Sequence, residues 1–148
     1  MRAFEIISSY LDAGVEIPKR KTANSAGYDI AAAETVTLSP CGVTLVPTGL
    51  KARMPGDEYL GIHIRSGLSV KKKLGLINGQ GIIDSDYYNN HDNEGHIMVA
   101  VINYNNYPVI IEKGERIAQG IFYKYFKADH DEHNSIVRQG GFGSTGAK

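Results

Sequence analysis

Leu60, Ile62 and Ile64 alternate with Gly61, His63 and Arg65. That two-residue period marks a strand with one face in a core. Val36 and Leu38 alternate with Thr35, Thr37 and Ser39 until Pro40 ends the run, because Pro cannot donate to a sheet ladder. Residues 4–7, 15–17, 43–46, 97–102 and 109–111 are further short apolar runs. In the last long run Ile117, Gln119, Ile121, Tyr123 and Tyr125 share one face, opposite Ala118, Gly120, Phe122 and Phe126. The pattern breaks after Arg65-Ser66-Gly67. Leu68, Val70 and Leu74, with Lys71, Lys72 and Lys73 among them, predict one short helix with Ser66 near its start as a cap. Many short strands separated by turns predict an all-β sandwich or barrel. With no internal repeat and no linker, the chain is expected to be one domain, residues 1–137. The glycine-rich residues 138–148 cannot build a core and are expected to move on their own.

Residues 78–88 read Asn-Gly-Gln-Gly-Ile-Ile-Asp-Ser-Asp-Tyr-Tyr. Asn78-Gly79 is a hairpin-turn signal, since both residues tolerate positive φ. Ile82 and Ile83 predict a short buried strand that delivers Asp84 to its end. A carboxylate placed by a rigid, glycine-flanked hairpin is a candidate base. The plain alternative is a turn whose Asp residues bond their own backbone.

Composition narrows the classes. The chain has 148 residues, enough for one domain with a core. Its 17 Gly and 9 Tyr, with no Trp, fit the all-β expectation. Sixteen Lys and Arg balance sixteen Asp and Glu, which argues against a nucleic-acid or membrane-surface partner held by charge. No stretch has the order of a signal peptide or the length of a membrane span, so a cytoplasmic protein is expected. Cys41 is the lone cysteine, which excludes an intrachain disulfide. It lies between Pro40 and Gly42, where a turn is expected.

Gly141-Phe142-Gly143-Ser144-Thr145-Gly146 spells a dinucleotide fingerprint, but that motif sits between a strand and a helix, and neither is predicted around it. Its backbone N–H groups and small hydroxyls suit phosphate oxygens all the same. Arg138 adds a bidentate donor and Phe142 a flat apolar surface. The clusters His130-Asp131-Glu132-His133 and His91, Asp92, His96 lack a recognised metal-ligand spacing, so both are expected to be solvated loops.

Five segments now fall in order: Ala26-Gly27-Tyr28-Asp29-Ile30, Arg65-Ser66-Gly67-Leu68-Ser69, residues 78–87, Gly114-Glu115-Arg116-Ile117-Ala118-Gln119, and residues 138–146. Together they resemble the five motifs of the trimeric dUTP pyrophosphatases and span nearly the whole chain. The resemblance implies a β jelly roll with one short helix, and a homotrimer with three sites at subunit junctions. The tail of one subunit would close over a site built by the other two. It implies Asp84 as the base that activates water and touches the sugar 3′-hydroxyl. Asn78 and the backbone around Gly81 and Ile83 would read uracil, and Tyr87 would lie under the deoxyribose, where a 2′-hydroxyl would clash. Arg65, Ser66, Gly67 and Gln119 would hold the phosphates, with Mg2+ carried mainly by the triphosphate and supported indirectly by Asp29. Arg138, Phe142, Gly143, Ser144 and Thr145 would form the lid. Two other readings share the scaffold: a dCTP deaminase, which needs a glutamate that the hairpin does not offer, and a regulator that binds a protein partner.

Overall fold

The computed structural model describes residues 1–131, 138, 140–143 and 145–146. Among these the chain forms strands β1 (Ala3–Ile6), β2 (Lys19–Arg20), β3 (Tyr28–Ala31), β4 (Val36–Leu38), β5 (Val43–Pro47), β6 (Leu50–Arg53) and β7 (Glu58–Ile64). Helix α1 (Ser66–Lys72) follows, then β8 (Leu74–Leu76), β9 (Gly81–Asp84), β10 (Met98–Asn103), β11 (Val109–Ile111) and β12 (Arg116–Lys124). The largest sheet runs β2-β3-β12-β7-β9; β5-β10-β8 form a second, and β1-β6 and β4-β11 pair separately. Every pairing is antiparallel. The result is an all-β jelly roll with one short helix, as expected.

The sheets close over one core. Ile30, Leu38, Val46, Leu60, Val99, Ile111 and Ile117 are each at most 1% exposed. Each such side chain contributes about 1.5–3 kcal/mol relative to leaving it in water. Strand β7 is paired along both edges, Leu60 to Phe122 of β12 and to Ile83 of β9. Its inward residues Leu60 and Ile62 follow the predicted alternation.

Several local expectations change. Asn78 and Gly79 do turn, with Gly79 at φ 74°, but β8 and β9 do not pair with each other. The turn passes the chain from one sheet to another instead of closing a hairpin. Strand β9 is therefore an edge, and Ile82 is 58% exposed, not buried. Ser66 is the first helical residue; Arg65 occupies the cap position and no side chain bonds there. The helix stops earlier than predicted, because Lys73 turns left-handed at φ 51° and Leu74 starts β8. A bulge between Arg116 and Ala118 shifts the parity of β12, so Ile117 enters the core beside Ala118 and leaves the face of Gln119. Residues 15–17 form no strand, whereas Lys19–Arg20 does.

His96 links the turn after β5 to the sheet. Its Nε2 accepts a 2.9 Å bond from Gly49 N–H, so the buried ring is neutral. Burial pulls its pKa below the ordinary 6.5. The unfolded chain then takes up the proton first as pH falls, so folding stability is lost as pH drops through 6.5. Urea midpoints at about pH 7.5 and about pH 5.5 should show this loss, and His96→Gln should flatten it.

Candidate active site

Strand β9 is held by β7 on one side, with Asp84 opposite Tyr59 and Gly81 opposite Ile62. As the terminal strand of its sheet, it leaves the backbone groups of its other edge without a strand partner among the described residues. Gly81 lets β9 lie close against β7, since a Cβ there would stand 3.1 Å from Ile62. After Asp84 a tight turn, Ser85–Tyr87, buries the Tyr87 ring, which lines the same cavity as the strand. The result is a cavity of about 310 Å³ that brings together Asn78, Gly81, Ile83, Asp84, Tyr87, Arg138 and Phe142. All seven are residues that the sequence nominated. Tyr87 is 5% exposed; its hydroxyl donates to His96 O at 2.7 Å and accepts from Asn93 Nδ2 at 2.9 Å.

The tail closes one side of this cavity within the same chain. Arg138 donates to Asp84 Oδ2 at 2.6 Å and to Asp86 Oδ1 at 2.8 Å. Gly141 lies against the Tyr87 ring, where a Cβ would meet Cε2 at 2.9 Å. Phe142 stands 66% exposed at the mouth. Gly143 and Thr145 are exposed and line no part of the cavity, and Ser144 lies outside the described residues.

The other nominated residues gather elsewhere on the same sheet. Gln119 on β12 is paired with Asp29 on β3 and His63 on β7. Asp29 accepts a 3.2 Å bond from Arg116 and stands 3.9 Å from Arg65. It thus holds two guanidinium groups in place. Ser66 and Gly67 open α1 and are exposed. Arg65 lies six residue steps along from Tyr59, which stands opposite Asp84, roughly 20 Å at the usual rise. One chain therefore places the candidate base and the residues nominated for the phosphates at opposite ends of β7.

Among the described residues no group of three His, Cys, Asp or Glu side chains is placed to hold a metal. His96 is buried against Gly49, and His130 and Asp131 are exposed; Glu132 and His133 lie outside the described residues.

A family model for dUTPase matches residues 13–146. The chain belongs to the dUTPase family. A deoxyuridine 5′-triphosphate nucleotidohydrolase of Lactococcus lactis is 53% identical over 148 residues, which cover 99% of each chain. The crystal structure of the Streptococcus mutans dUTPase is 46% identical, with a TM-score of 0.82 over 86% of this chain and 98% of that one. A point mutant of the dUTPase from phage phi11 of S. aureus, described with a structural Mg(II) ion, shares the fold at TM-score 0.73 and 20% identity, covering 92% of this chain and 98% of that one.

Family motifs did not point to several residues that shape the cavity. Gln80 and Met98 line it; Gln80 lies inside the nominated stretch, while Met98 looks like any strand residue. Asp86 was visible two positions from Asp84, but its pairing with Arg138 depends on a tail 52 residues away. Asn93 carries no sequence signal, because its bond to Tyr87 depends on the path of a loop.

The contact of Gly141 with Tyr87 predicts that Gly141→Ala will hold the tail off the ring. We expect kcat/KM to fall about tenfold, with the melting temperature unchanged, since a displaced positioning group costs on this order. Steady-state kinetics beside a thermal melt checks both parts.

Proposed function

We propose that this chain hydrolyses dUTP to dUMP and pyrophosphate, with Asp84 as the base, at sites completed where three copies of the chain meet. The observation that carries this reading is Asp84 at the head of a free-edged strand, beside a cavity floored by Tyr87. The name of the Lactococcus relative, 53% identical along its length, supports dUTP as the substrate.

The unpaired backbone edge of β9, with Asn78 beside it, offers fixed donors and acceptors to a uracil edge. Cytosine turns an amino donor toward a position built for a carbonyl, and a buried group left unpaired costs about 1–3 kcal/mol. Thymine adds a methyl that a close-fitting strand edge excludes. Tyr87 lies beneath the sugar and excludes a 2′-hydroxyl. Asp84 orients a water and takes its proton as the water oxygen bonds to the α-phosphorus. The bond from that phosphorus to the bridging oxygen breaks, and pyrophosphate leaves with the electron pair. No covalent enzyme intermediate is needed, so Ser66 acts as a phosphate ligand.

Arg138 has a second part. In the free chain its guanidinium is committed to Asp84 and Asp86. Phosphate oxygens offer the same fork a bidentate partner. Exchange from carboxylates to phosphates would free Asp84 for water and draw the tail over the nucleotide. Residues 1–137 then act as the core and 138–148 as the closing segment, with Phe142 over the base and Gly143, Ser144 and Thr145 along the phosphates.

Mg2+ fits this chain as a passenger of the triphosphate. The Asp29 carboxylate, 13% exposed beside the phosphate-binding residues, is already paired with two guanidinium groups, which suits an indirect role. When bound with the triphosphate, Mg2+ would supply charge neutralisation at the phosphoryl oxygens. Arg65, Gln119 and Arg138 supply the rest.

The trimer rests on the separation along β7. Asp84 and Arg65 of one chain sit at opposite ends of a strand, and a ring of copies brings the end of one against the other end of its neighbour. No helix among the described residues is long and apolar enough to cross a membrane.

Pyrophosphate release with dUTP, dCTP, dTTP and UTP tests the function: strong preference for dUTP is expected, and ammonia from dCTP would overturn it. Asp84→Asn should lower turnover by about 10²–10⁴ while dUTP binding survives, the range for a positioned base; equal losses of both would remove Asp84 from that role. Light scattering should give three times the chain mass, and a monomer that is active would refute the shared site.

A further inference from the structure

The Tyr87 ring is gripped by a loop that none of the assigned roles uses. Residues 89–95 leave the end of the Asp84–Tyr87 turn and come back to lie on it. Asn89 and Glu94 both take left-handed backbone, at φ 55° and 65°, which a non-glycine residue keeps only when its surroundings enforce it. Asn90, 7% exposed, donates from Nδ2 to Tyr87 O at 2.8 Å and to Asn93 Oδ1 at 2.7 Å. Its Oδ1 accepts from the backbone N–H groups of Asp92 and Asn93. Gly95 returns so close that a Cβ would stand 2.7 Å from Tyr87 O. On the far side Glu94 accepts from Ser8 and from Lys51 Nζ, the latter at 2.9 Å, and those bonds hold its carboxyl pKa down at about 2. The loop is thus pinned to β6 and to the N-terminal segment.

One side chain of this loop reaches the cavity wall. The Asn93 amide is orientated at its oxygen by Asn90 and by Gly95 N–H at 3.0 Å. Its Nδ2 then donates to the Tyr87 hydroxyl at 2.9 Å, and that hydroxyl donates onward to His96 O at 2.7 Å. A phenol held from two sides cannot swing aside without breaking a buried bond. Its pKa is raised, by burial foremost, so it stays a protonated donor.

We propose that Asn93 is a positioning and specificity-determining residue, which fixes the Tyr87 ring at the angle that closes the cavity to a 2′-hydroxyl. The proposal rests on the reading of Tyr87 as the surface under deoxyribose. Asn93 touches no substrate. Its effect passes through the ring and bears on the choice between deoxyribo- and ribonucleotide more than on the chemical step. Freed of the amide, the ring turns aside and UTP gains entry, while dUTP, which needs no such exclusion, is handled much as before.

Five full-length proteins decide it: wild type, Asn93→Ala, Tyr87→Phe, the double variant of those two, and Tyr87→Ala, each assayed for kcat and KM with dUTP and with UTP. Asn93→Ala should lower the dUTP-to-UTP ratio of kcat/KM about tenfold, the worth of one net hydrogen bond. The change should come from UTP, with kcat for dUTP within about threefold of wild type. Tyr87→Phe keeps the ring and removes the hydroxyl, so it should reproduce the shift even if Asn93→Ala folds poorly. The double variant should then add nothing to the larger single effect. A ratio unchanged in both single variants, while Tyr87→Ala collapses it, overturns the positioning role. Equal losses with both nucleotides and a lowered melting temperature would show that the amide merely supports the loop, and would likewise overturn it. A ratio unchanged in Tyr87→Ala refutes the sugar-wall reading and this proposal with it. Wild-type protein inert toward dUTP refutes the proposed function itself.

Discussion

Strand β7 sets the positions of the candidate site's residues through its two ends. It is paired along both edges, with β12 through seven residue pairs and with β9 through four. A strand laddered on both sides cannot bend or slip without breaking several backbone bonds at once. The register therefore fixes Asp84 opposite Tyr59 and leaves Arg65 at the far terminus, next to the start of α1. Both groups inherit the rigidity of the sheet although neither is buried in it. Asp29 extends the same logic across β12, where its carboxylate holds Arg65 and Arg116 toward one side.

The charge arrangement at the site is one of exchange. With no net charge overall, the chain relies on local fields to gather a triphosphate. Arg138 lies between two carboxylates that repel each other and an incoming anion alike. It neutralises that repulsion in the free chain and is the one cation at the cavity itself among the described residues. Its partner can change because Asp84 and Asp86 are about half exposed, at 48% and 59% of their side chains, so the pair is solvated and weak. The tail residues that follow Arg138 lie on the same cavity, Gly141 on the Tyr87 ring and Phe142 at the mouth.

Strands β4, β7, β10 and β11 were legible because alternating or continuous apolar residues have one physical explanation, a face turned to a core. Strand β6 was not. Leu50, Lys51 and Ala52 are all buried in succession, which no alternation predicts. Lys51 is tolerated there only because Asn89 and Glu94 receive its ammonium from another part of the chain. The Asn78-Gly79 turn was readable as a turn, but which strands it joined was not, since β9 found β7 and β8 found β10. The bulge at Arg116–Ala118 reversed the face of Ile117 for the same reason: parity along a strand holds only while its neighbour keeps step.

From the sequence alone came the all-β class, the single short helix, the ordered family motifs and the residue types that reaction at a phosphate requires, because these depend on local period and on chemistry carried by individual side chains. Only the folded chain decided that Asn78, Asp84, Tyr87, Arg138 and Phe142 share one cavity while Asp29, Arg65 and Gln119 lie elsewhere on the sheet. Only it revealed that Asn93 holds the Tyr87 hydroxyl and that Arg138 pairs with Asp84. Those relations are set by strand register and loop path, which arise from packing between segments far apart in the chain and leave no trace in the spacing of residues along it.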